Sequence, residues 1–273
     1  LLASRAIASL ESLSGLGSDS LINARIEGIY RHMMDSYRRT DNPDALLLTN
    51  LDYLQWKRRT DPGFRPYHAP EGRIGLTQDP YLGALNKLIA ENQSRDICAE
   101  VYLLKAQEAV NAGVPASGLQ LCDEAISRYP AYHRINALRE LKQDILSPDF
   151  TVQTPSAVYP GEEFDLKVSF KNLKSFAVQL YAINLPVRPN AVEVPDETFL
   201  KKHGRLLSSV HYVLFPSGDY KMQDSIFHMK APETGLYALR IVPDADVRSN
   251  SAKFLSSTRF KVLTRSLPSK QSE

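Results

Sequence analysis

Apolar residues in the first part of the chain recur at the spacing of an amphipathic helix. Between positions 21 and 37 they fall one, three or four residues apart, at Leu21, Ile22, Ile26, Ile29, Tyr30, Met33, Met34 and Tyr37. This spacing predicts one long helix, with Ser20 as its N-cap and with Asn42 and Pro43 beyond its end. The next apolar residues predict a second helix from Asp44 to about Trp56.

A repeat of about 34 residues predicts how the helices are organised. Ala84 and Leu88 in one predicted helix recur as Gly118 and Cys122 in another. That period is typical of tetratricopeptide repeats, in which each repeat is a pair of antiparallel helices. Residues 1–147 are therefore predicted to form an all-α, tetratricopeptide-like helical-repeat domain.

Small residues indicate where the helices of the clearest repeat touch. Ala106, Gly118 and Ala125 allow two helix backbones to approach closely, because none of them carries a bulky side chain. Asp79 is a suitable N-cap for the helix before this repeat. A last helix from about His133 to Leu146 is predicted to cap the stack.

Strict alternation of apolar and polar residues replaces the helical spacing after Ser147 and Pro148. Apolar residues occupy every second position at Phe164, Leu166, Val168 and Phe170. A period of two predicts a half-buried strand. Further strands are predicted at 151–153, 176–183, 207–215, 225–230, 236–242 and 258–263. Seven short strands predict an immunoglobulin-like β-sandwich over 151–265, with its longest loop at 185–203 and a linker at 266–273.

Composition excludes several classes of protein. Apolar residues make up 43% of the chain and charged residues 23%, as in soluble folded domains. The 33 lysines and arginines nearly balance the 31 acidic residues, so no nucleic-acid or membrane-surface partner is expected. No apolar run is long enough for a transmembrane segment. The chain starts at Leu1, and we expect it to be a fragment of a larger exported protein.

Two stretches of the second half carry a resemblance to a known family. Residues 158–164 read Val-Tyr-Pro-Gly-Glu-Glu-Phe, and residues 231–241 read Ala-Pro-Glu-Thr-Gly-Leu-Tyr-Ala-Leu-Arg-Ile. With the helical lead-in at 121–145, they resemble the amino-terminal region of bacterial alpha-2-macroglobulin-like proteins, whose macroglobulin-type sandwich domains open with a similar Tyr-Pro-Gly-Glu stretch.

The resemblance implies a place and a setting for the chain. It implies a large cell-envelope parent, often lipid-anchored and facing the periplasm or associated with the outer membrane. It implies further sandwich domains of the same parent chain as partners, together with proteases or other envelope proteins. The family's protease-trapping thioester needs a Cys-x-Glu-Gln motif, which neither Cys98 nor Cys122 begins.

No arrangement of residues predicts catalysis, a cofactor or a bound metal. The chain lacks GxSxG, P-loop, GxGxxG and HExxH motifs, and its six histidines show no metal-ligand spacing. His211 and His228 could meet on neighbouring strands and bind a metal. The alternative is that both are solvated or singly hydrogen-bonded histidines. Cys122 is expected to be a small core residue. The chain is therefore predicted not to be an enzyme.

One segment has the composition of a binding surface. It mixes aromatic residues with arginines, at Trp56, Arg58, Arg59, Phe64, Arg65, Tyr67 and His68. Aromatic residues and arginine are enriched at binding hot spots, so these residues are a candidate interaction loop. The alternative is that the loop folds back and buries its aromatic side chains on the helices.

Two functions follow from the sequence. The first is a non-catalytic structural or interaction module of an envelope alpha-2-macroglobulin-like protein, contributing to protease inhibition or envelope defence. The second is an accessory protein for glycan binding or uptake. A row of exposed aromatic residues on the sandwich would favour the second; Tyr181, Tyr212, Tyr220 and Tyr237 do not establish such a row from their spacing alone.

Overall fold

The chain consists of two compact units, Leu1–Ile145 and Leu146–Glu273. The structure, a computed structural model, describes residues 19–64, 79–184, 197–244 and 256–262. The described part of the first unit is helical, and the described part of the second contains two β-sheets. The predicted succession of an all-α part and an all-β part is therefore confirmed at this level.

The described part of the first unit is built from six α-helices and two 3₁₀ turns. They are α1 (Asp19–Arg39), α2 (Pro43–Thr60), α3 (Pro80–Asn92), α4 (Ala99–Asn111), α5 (Pro115–Arg128) and α6 (Ile135–Leu146), with 3₁₀ turns at Pro62–Phe64 and Asp96–Cys98. Asp79 caps α3 as predicted, because its Oδ1 accepts a hydrogen bond of 2.9 Å from the backbone N–H of Tyr81. No described helix combines the length and the apolarity needed to cross a bilayer.

Two predicted helix ends are wrong. Helix α1 begins at Asp19, so Ser20 lies inside it and is not its N-cap. Helix α2 continues to Thr60 instead of ending near Trp56. The lysine and arginines at positions 57–59 favour a helix, and the first helix-breaking residue after them is Pro62. The backbone N–H of Asp61 still donates to the backbone oxygen of Lys57 at 2.8 Å.

The close approach predicted at Gly118 is confirmed. A Cβ atom at this position would lie 2.9 Å from Cγ2 of Val110 and 3.0 Å from the backbone oxygen of Ala106. Ala106 and Ala125 are fully buried in the same core. The backbones of α4 and α5 therefore pack without space for a side chain at this point.

The described part of the second unit is a β-sandwich with one short helix. Its elements are β1 (Asp149–Gln153), β2 (Ala157–Val158), β3 (Glu163–Lys171), β4 (Ser175–Ile183), α7 (Glu197–His203), β5 (Gly204–Val213), β6 (Gln223–Lys230), β7 (Gly235–Pro243) and β8 (Ser256–Val262). Among the described strands, one sheet has the order β1-β3-β6 and the other β2-β8-β7-β4-β5. All pairs are antiparallel except β2 with β8.

Both sheets contribute side chains to one core. The alternation that predicted β3 is confirmed, since Phe164, Leu166, Val168 and Phe170 are buried and the residues between them are more exposed. Phe176 and Val178 of β4 join the same core from the other sheet. An apolar face on each sheet is thus covered by the apolar face of the other.

The second unit departs from prediction at three places. A helix, α7, lies inside the segment predicted to be the longest loop; its Leu200 is buried and Lys201 pairs with Glu197 at 3.1 Å. Strand β2 is only two residues long, too short to show a period. Strand β5 begins at Gly204 and ends at Val213, earlier than predicted, and its register with β4 shifts at Leu180.

Candidate binding cavity of the helical unit

A cavity of about 510 Å³ lies among the helices of the first unit. Its lining consists of Arg58, Asp79, Leu82, Asn86, Lys105, Glu108, Ala109, Asn111, Ala112, Ser117, Gln120, Leu121 and Glu124. These residues belong to α2, α3, α4 and α5, to the N-cap of α3 and to the C-cap of α4. Ligand sites in proteins usually measure about 300–1,000 Å³, so this volume is enough for a ligand.

The lining combines apolar groups with polar side chains, of which Asn86, Asn111 and Gln120 are exposed. Leu82, Ala109, Ala112 and Leu121 supply apolar surface. Asn86, Asn111, Ser117 and Gln120 have side chains that make no hydrogen bond within the part of the chain that the structure describes. A side-chain amide both donates and accepts hydrogen bonds, as a peptide group does.

Arg58 lines the cavity and is held by two carboxylates. Its Nη1 donates to Oδ2 of Asp79 at 2.9 Å, and its Nη2 donates to Oε2 of Glu108 at 3.1 Å. The side chains of Arg58 and Asp79 are only 18% and 5% exposed. The guanidinium carbon also lies 4.3 Å from the ring centroid of Tyr81. This cluster connects α2, α3 and α4.

The Glu124 carboxylate is also occupied. Its Oε1 accepts a 2.6 Å hydrogen bond from the hydroxyl of Tyr102 and forms a 3.2 Å ion pair with Arg128. Burial raises the pKa of Tyr102, and the bond to Glu124 raises it further. Glu124 therefore has a structural task besides lining the cavity.

Lys105 differs from the other charged residues of the cavity. Its half-buried ammonium makes no hydrogen bond and no ion pair with the residues placed in the structure. Burial lowers the pKa of Lys105, and the charge of Glu124 opposes that shift. Lys105 is thus a partly desolvated cation that is available to a ligand.

The predicted interaction residues do not share one place. Arg58 lines the cavity, and its Nη1 donates to the backbone oxygen of Phe64 at 3.3 Å. Trp56 is buried against Tyr30, as expected if the aromatic side chains were structural. Its Nε1 has no hydrogen-bond partner among the described residues.

The remaining members of that set lie elsewhere or outside the described residues. Arg59 is exposed on α2. Arg65, Tyr67 and His68 belong to the segment 65–78, which lies outside the described residues. Because Trp56, Arg58 and Arg59 lie on helix α2, they are not part of a loop. Their role in binding stays a prediction.

The sequence did not predict the residues that complete the cavity. Lys105 and Glu108 are on α4, Gln120 is on α5 and Asn86 is on α3. One signal was present: Lys105 directly precedes the buried Ala106, so it lies beside the packed face of α4. Lysine is rarely buried, so a lysine next to the packed face of a helix is unusual. This position could have marked Lys105 as a candidate binding residue.

Two histidines and one serine of the sandwich were compared with the arrangements that metal binding and catalysis require. No group of three or more histidine, cysteine, aspartate or glutamate residues is arranged to hold a metal ion there. His211 lies on β5 and His228 on β6, in different sheets, so they do not form the pair considered from the sequence. The Ser175 hydroxyl donates to Asp244, whose Oδ2 lies 3.9 Å from Nε2 of His211. The serine thus binds the carboxylate and not the imidazole, unlike the nucleophile of a catalytic triad.

Exposed apolar residues concentrate on the sandwich near β5 and β6. They are Leu206, Leu207, Val210, Val213, Phe215, Met222 and Ile226. The side chain of Phe215 is 83% exposed.

Buried tyrosines predict a loss of stability in alkali. Burial raises the pKa of Tyr81 to about 12, with Glu108 adding to the effect and Arg58 opposing it. Burial also raises the pKa of Tyr129 to about 12. An unfolded tyrosine ionises near pH 10, so between pH 10 and 12 the unfolded chain releases protons that the folded chain retains. The free energy of unfolding is therefore expected to fall across this range.

Urea unfolding followed by circular dichroism at 222 nm, from pH 8 to 11.5, measures this fall. The Tyr81→Phe variant is the matched control, because its ring keeps the packing and loses the ionisable hydroxyl. Its unfolding free energy is expected to decline less steeply above pH 10. Equal slopes for the two proteins would contradict the assignment to Tyr81.

Comparisons with known proteins give no family for the chain. No protein-family model matches it, and no curated protein matches it. Solved structures match parts of it at low similarity. The CARDB domain of a Pyrococcus furiosus protein is 16% identical, covers 43% of this chain and 90% of its own, and has a TM-score of 0.26. The PKD domain of an M14-like peptidase from a Thermoplasmatales archaeon is 12% identical and has a TM-score of 0.22. The match covers 43% of this chain and 94% of the PKD domain chain.

A third match has a similar level of likeness. A chitin binding domain from Burkholderia pseudomallei is 15% identical, covers 39% of this chain and 54% of its own, and has a TM-score of 0.24. None of these three structures is an alpha-2-macroglobulin. Similarities at this level carry no argument for a shared function.

Proposed function

We propose that this chain is a non-catalytic interaction module, and that its helical unit binds an extended segment of a partner polypeptide. The observation that carries the proposal is the lining of the 510 Å³ cavity. It places polar side chains, which make no hydrogen bond to the residues that the structure describes, beside the apolar groups of Leu82, Ala109, Ala112 and Leu121. Apolar surface with a few convergent polar groups is the usual composition of a binding site.

An extended peptide fits this composition better than a purely apolar ligand. Each of its residues offers one N–H donor and one C=O acceptor, and the amide groups of Asn86, Asn111 and Gln120 can pair with both. The apolar residues of the cavity can cover an apolar side chain of the same segment. The buried ion cluster around Arg58 holds the walls in place before binding, which lowers the entropic cost of association.

The finer fold assignments belong to this proposal. The pair α4–α5 is proposed to be a tetratricopeptide-like repeat, supported by the contact at Gly118. The sandwich is proposed to be an immunoglobulin-like, macroglobulin-type domain, supported by the sequence resemblance at 158–164 and 231–241. The same resemblance supports an envelope alpha-2-macroglobulin-like parent, a lipoprotein facing the periplasm, with proteases or further sandwich domains as partners.

Selection from a display library of random heptapeptides tests the binding function on the full chain. Selected peptides are expected to bind the chain, and to lose binding when Ala109→Phe or Ser117→Tyr fills the cavity. Ala90→Phe is the matched control, because Ala90 is an exposed residue of α3 outside the cavity. Thermal unfolding of each variant shows whether it is folded. Binding that survives in both folded cavity variants would refute the proposed site.

The proposed location has its own test. Fractionation of the native host, followed with an antibody raised against the chain, is expected to find the protein in the periplasmic or outer-membrane fraction. Detection in the cytosol alone would overturn the envelope assignment and leave the binding function untouched.

The glycan-binding alternative lacks a specific observation. Tyr237 is buried, Tyr212 stacks on Phe176 of the core at a centroid distance of 5.3 Å, and Tyr181 and Tyr220 are half-buried. These four tyrosines therefore do not form the exposed aromatic row that would bind a sugar chain.

A further inference from the structure

We infer that the bound segment carries an acidic side chain flanked by apolar residues, and that its carboxylate binds the ammonium group of Lys105. The inference rests on the proposed peptide-binding function and adds the chemistry of the ligand. It concerns the same cavity, whose lining includes Lys105 of α4 and Glu124 of α5, and the charge of Glu124 acts on Lys105.

The first argument is the state of the charges around the cavity. Arg58 has two carboxylate partners within 3.1 Å, Asp79 and Glu108. Glu124 accepts from Tyr102 and pairs with Arg128. Lys105 has no hydrogen bond or ion pair among the residues that the structure describes. The three N–H donors of the Lys105 ammonium are therefore available to a ligand.

The second argument is the burial of Lys105. An ammonium that is partly removed from water has lost hydration, and Glu124 compensates only in part, since the pKa of Lys105 is below its ordinary value of 10.5. A carboxylate in contact with it restores the lost interaction. Charge-assisted hydrogen bonds of this kind are the stronger ones in proteins.

The acids of the lining limit the ligand to a small negative charge. Asp79, Glu108 and Glu124 surround the same cavity. A phosphate chain or a nucleic acid would meet these carboxylates and be repelled. One carboxylate, placed at Lys105 and followed by apolar groups against Leu82 and Leu121, avoids that repulsion.

The main chain is expected to continue on both sides of the acidic residue. The side-chain amides of Asn86, Asn111 and Gln120 belong to three different helices. They can therefore receive peptide groups before and after the carboxylate. This favours an acidic side chain inside a segment over the carboxylate at a chain end.

The heptapeptide selection, repeated with a Lys105→Gln chain, tests the inference. The wild-type chain is expected to enrich aspartate or glutamate at one position, beside apolar residues. Lys105→Gln is expected to lose this enrichment and to bind the selected peptides about ten- to a hundred-fold more weakly. Lys87→Gln is the matched control, because Lys87 on α3 is 77% exposed and lies outside the cavity.

A second readout follows the Lys105 ammonium itself. The ¹³C resonance of its ε-carbon is titrated in the full chain, with and without a selected peptide blocked at both ends. The pKa of Lys105 is expected to rise when the peptide binds, because a carboxylate stabilises the charged form. The corresponding asparagine or glutamine peptide is expected to leave it unchanged.

Several outcomes would overturn the inference. Selected peptides without an enriched acid, or equal affinity for Lys105→Gln, would remove it while leaving the proposed function standing. An ordinary pKa for Lys105 in the unliganded chain would show that an acid of this chain already pairs with it. If the selected peptides bind only with a free C-terminal carboxylate, the group that binds Lys105 is that carboxylate and not an acidic side chain. Failure to select any peptide would refute the proposed function as well.

Discussion

Replacement of Arg58 by methionine is expected to destabilise the helical unit by about 3 kcal/mol. The substitution keeps an unbranched, largely apolar side chain but removes the guanidinium group and its charge. Asp79 and Glu108 then lose the guanidinium that bonds both of them, and the Asp79 side chain is only 5% exposed. An unpaired carboxylate at a buried position costs more than the pair contributed, because it retains its desolvation penalty.

Asp79 makes the effect larger than that of a single ion pair. Its Oδ1 caps α3 by accepting from Tyr81, and both of its oxygens accept from Arg58. Loss of Arg58 therefore also disturbs the start of α3. Urea unfolding monitored by circular dichroism at 222 nm measures the change in the free energy of unfolding.

Arg31→Met is the control for the loss of an arginine. Arg31 pairs with Glu27 on the surface of α1, and its side chain is exposed. Surface pairs of this kind contribute at most about 0.5 kcal/mol. If Arg58→Met costs no more than Arg31→Met, the cluster does not hold the walls of the cavity in place, and the preorganisation argument for binding fails.

Replacement of Gly118 by leucine is expected to cost about 2 to 3 kcal/mol and to lower the melting temperature by several degrees. The Cβ atom alone would lie 3.0 Å from the backbone oxygen of Ala106, which cannot rotate away. The remaining atoms of leucine would also meet Val110 and Ile145. Helices α4 and α5 would have to separate.

Gly83→Ala provides the opposite result at a matched helical position. Gly83 lies in α3, and a Cβ atom there would meet nothing within 4 Å. Alanine is favoured over glycine in a helix by about 1 kcal/mol, so this variant is expected to be more stable than the wild type. A thermal transition of Gly118→Leu equal to that of the wild type would disprove the close packing of α4 on α5.

Local sequence patterns predicted the parts of the fold that depend on neighbouring residues. The alternation from Phe164 to Phe170 identified β3, because a strand places every second side chain on the same face. Asp79 and Pro80 identified the start of α3, since a cap depends on residues two positions apart. The small residues at Ala106 and Gly118 predicted a close approach, although not the atoms that meet there.

Short elements were missed because their stability is not local. Helix α7 has seven residues, too few to form in isolation, and it is stabilised by burying Leu200 with Ile183 and Ala238. Strand β2 has two residues and exists because β8 pairs with it. The end of α2 was misplaced because the sequence beyond Trp56 is polar and shows no apolar period.

Hydrophobic periodicity was enough to predict the division into a helical and a β part, because it is a property of neighbouring residues. The charges that meet depend instead on how the helices pack. Arg58 and Glu108 are fifty positions apart, and their 3.1 Å contact exists because α2, α3 and α4 pack around one point. The same packing leaves Lys105 beside a cavity without a partner among the described residues. No periodicity or motif in the sequence predicts this position of Lys105, because it depends on where the other charged side chains lie in the folded chain.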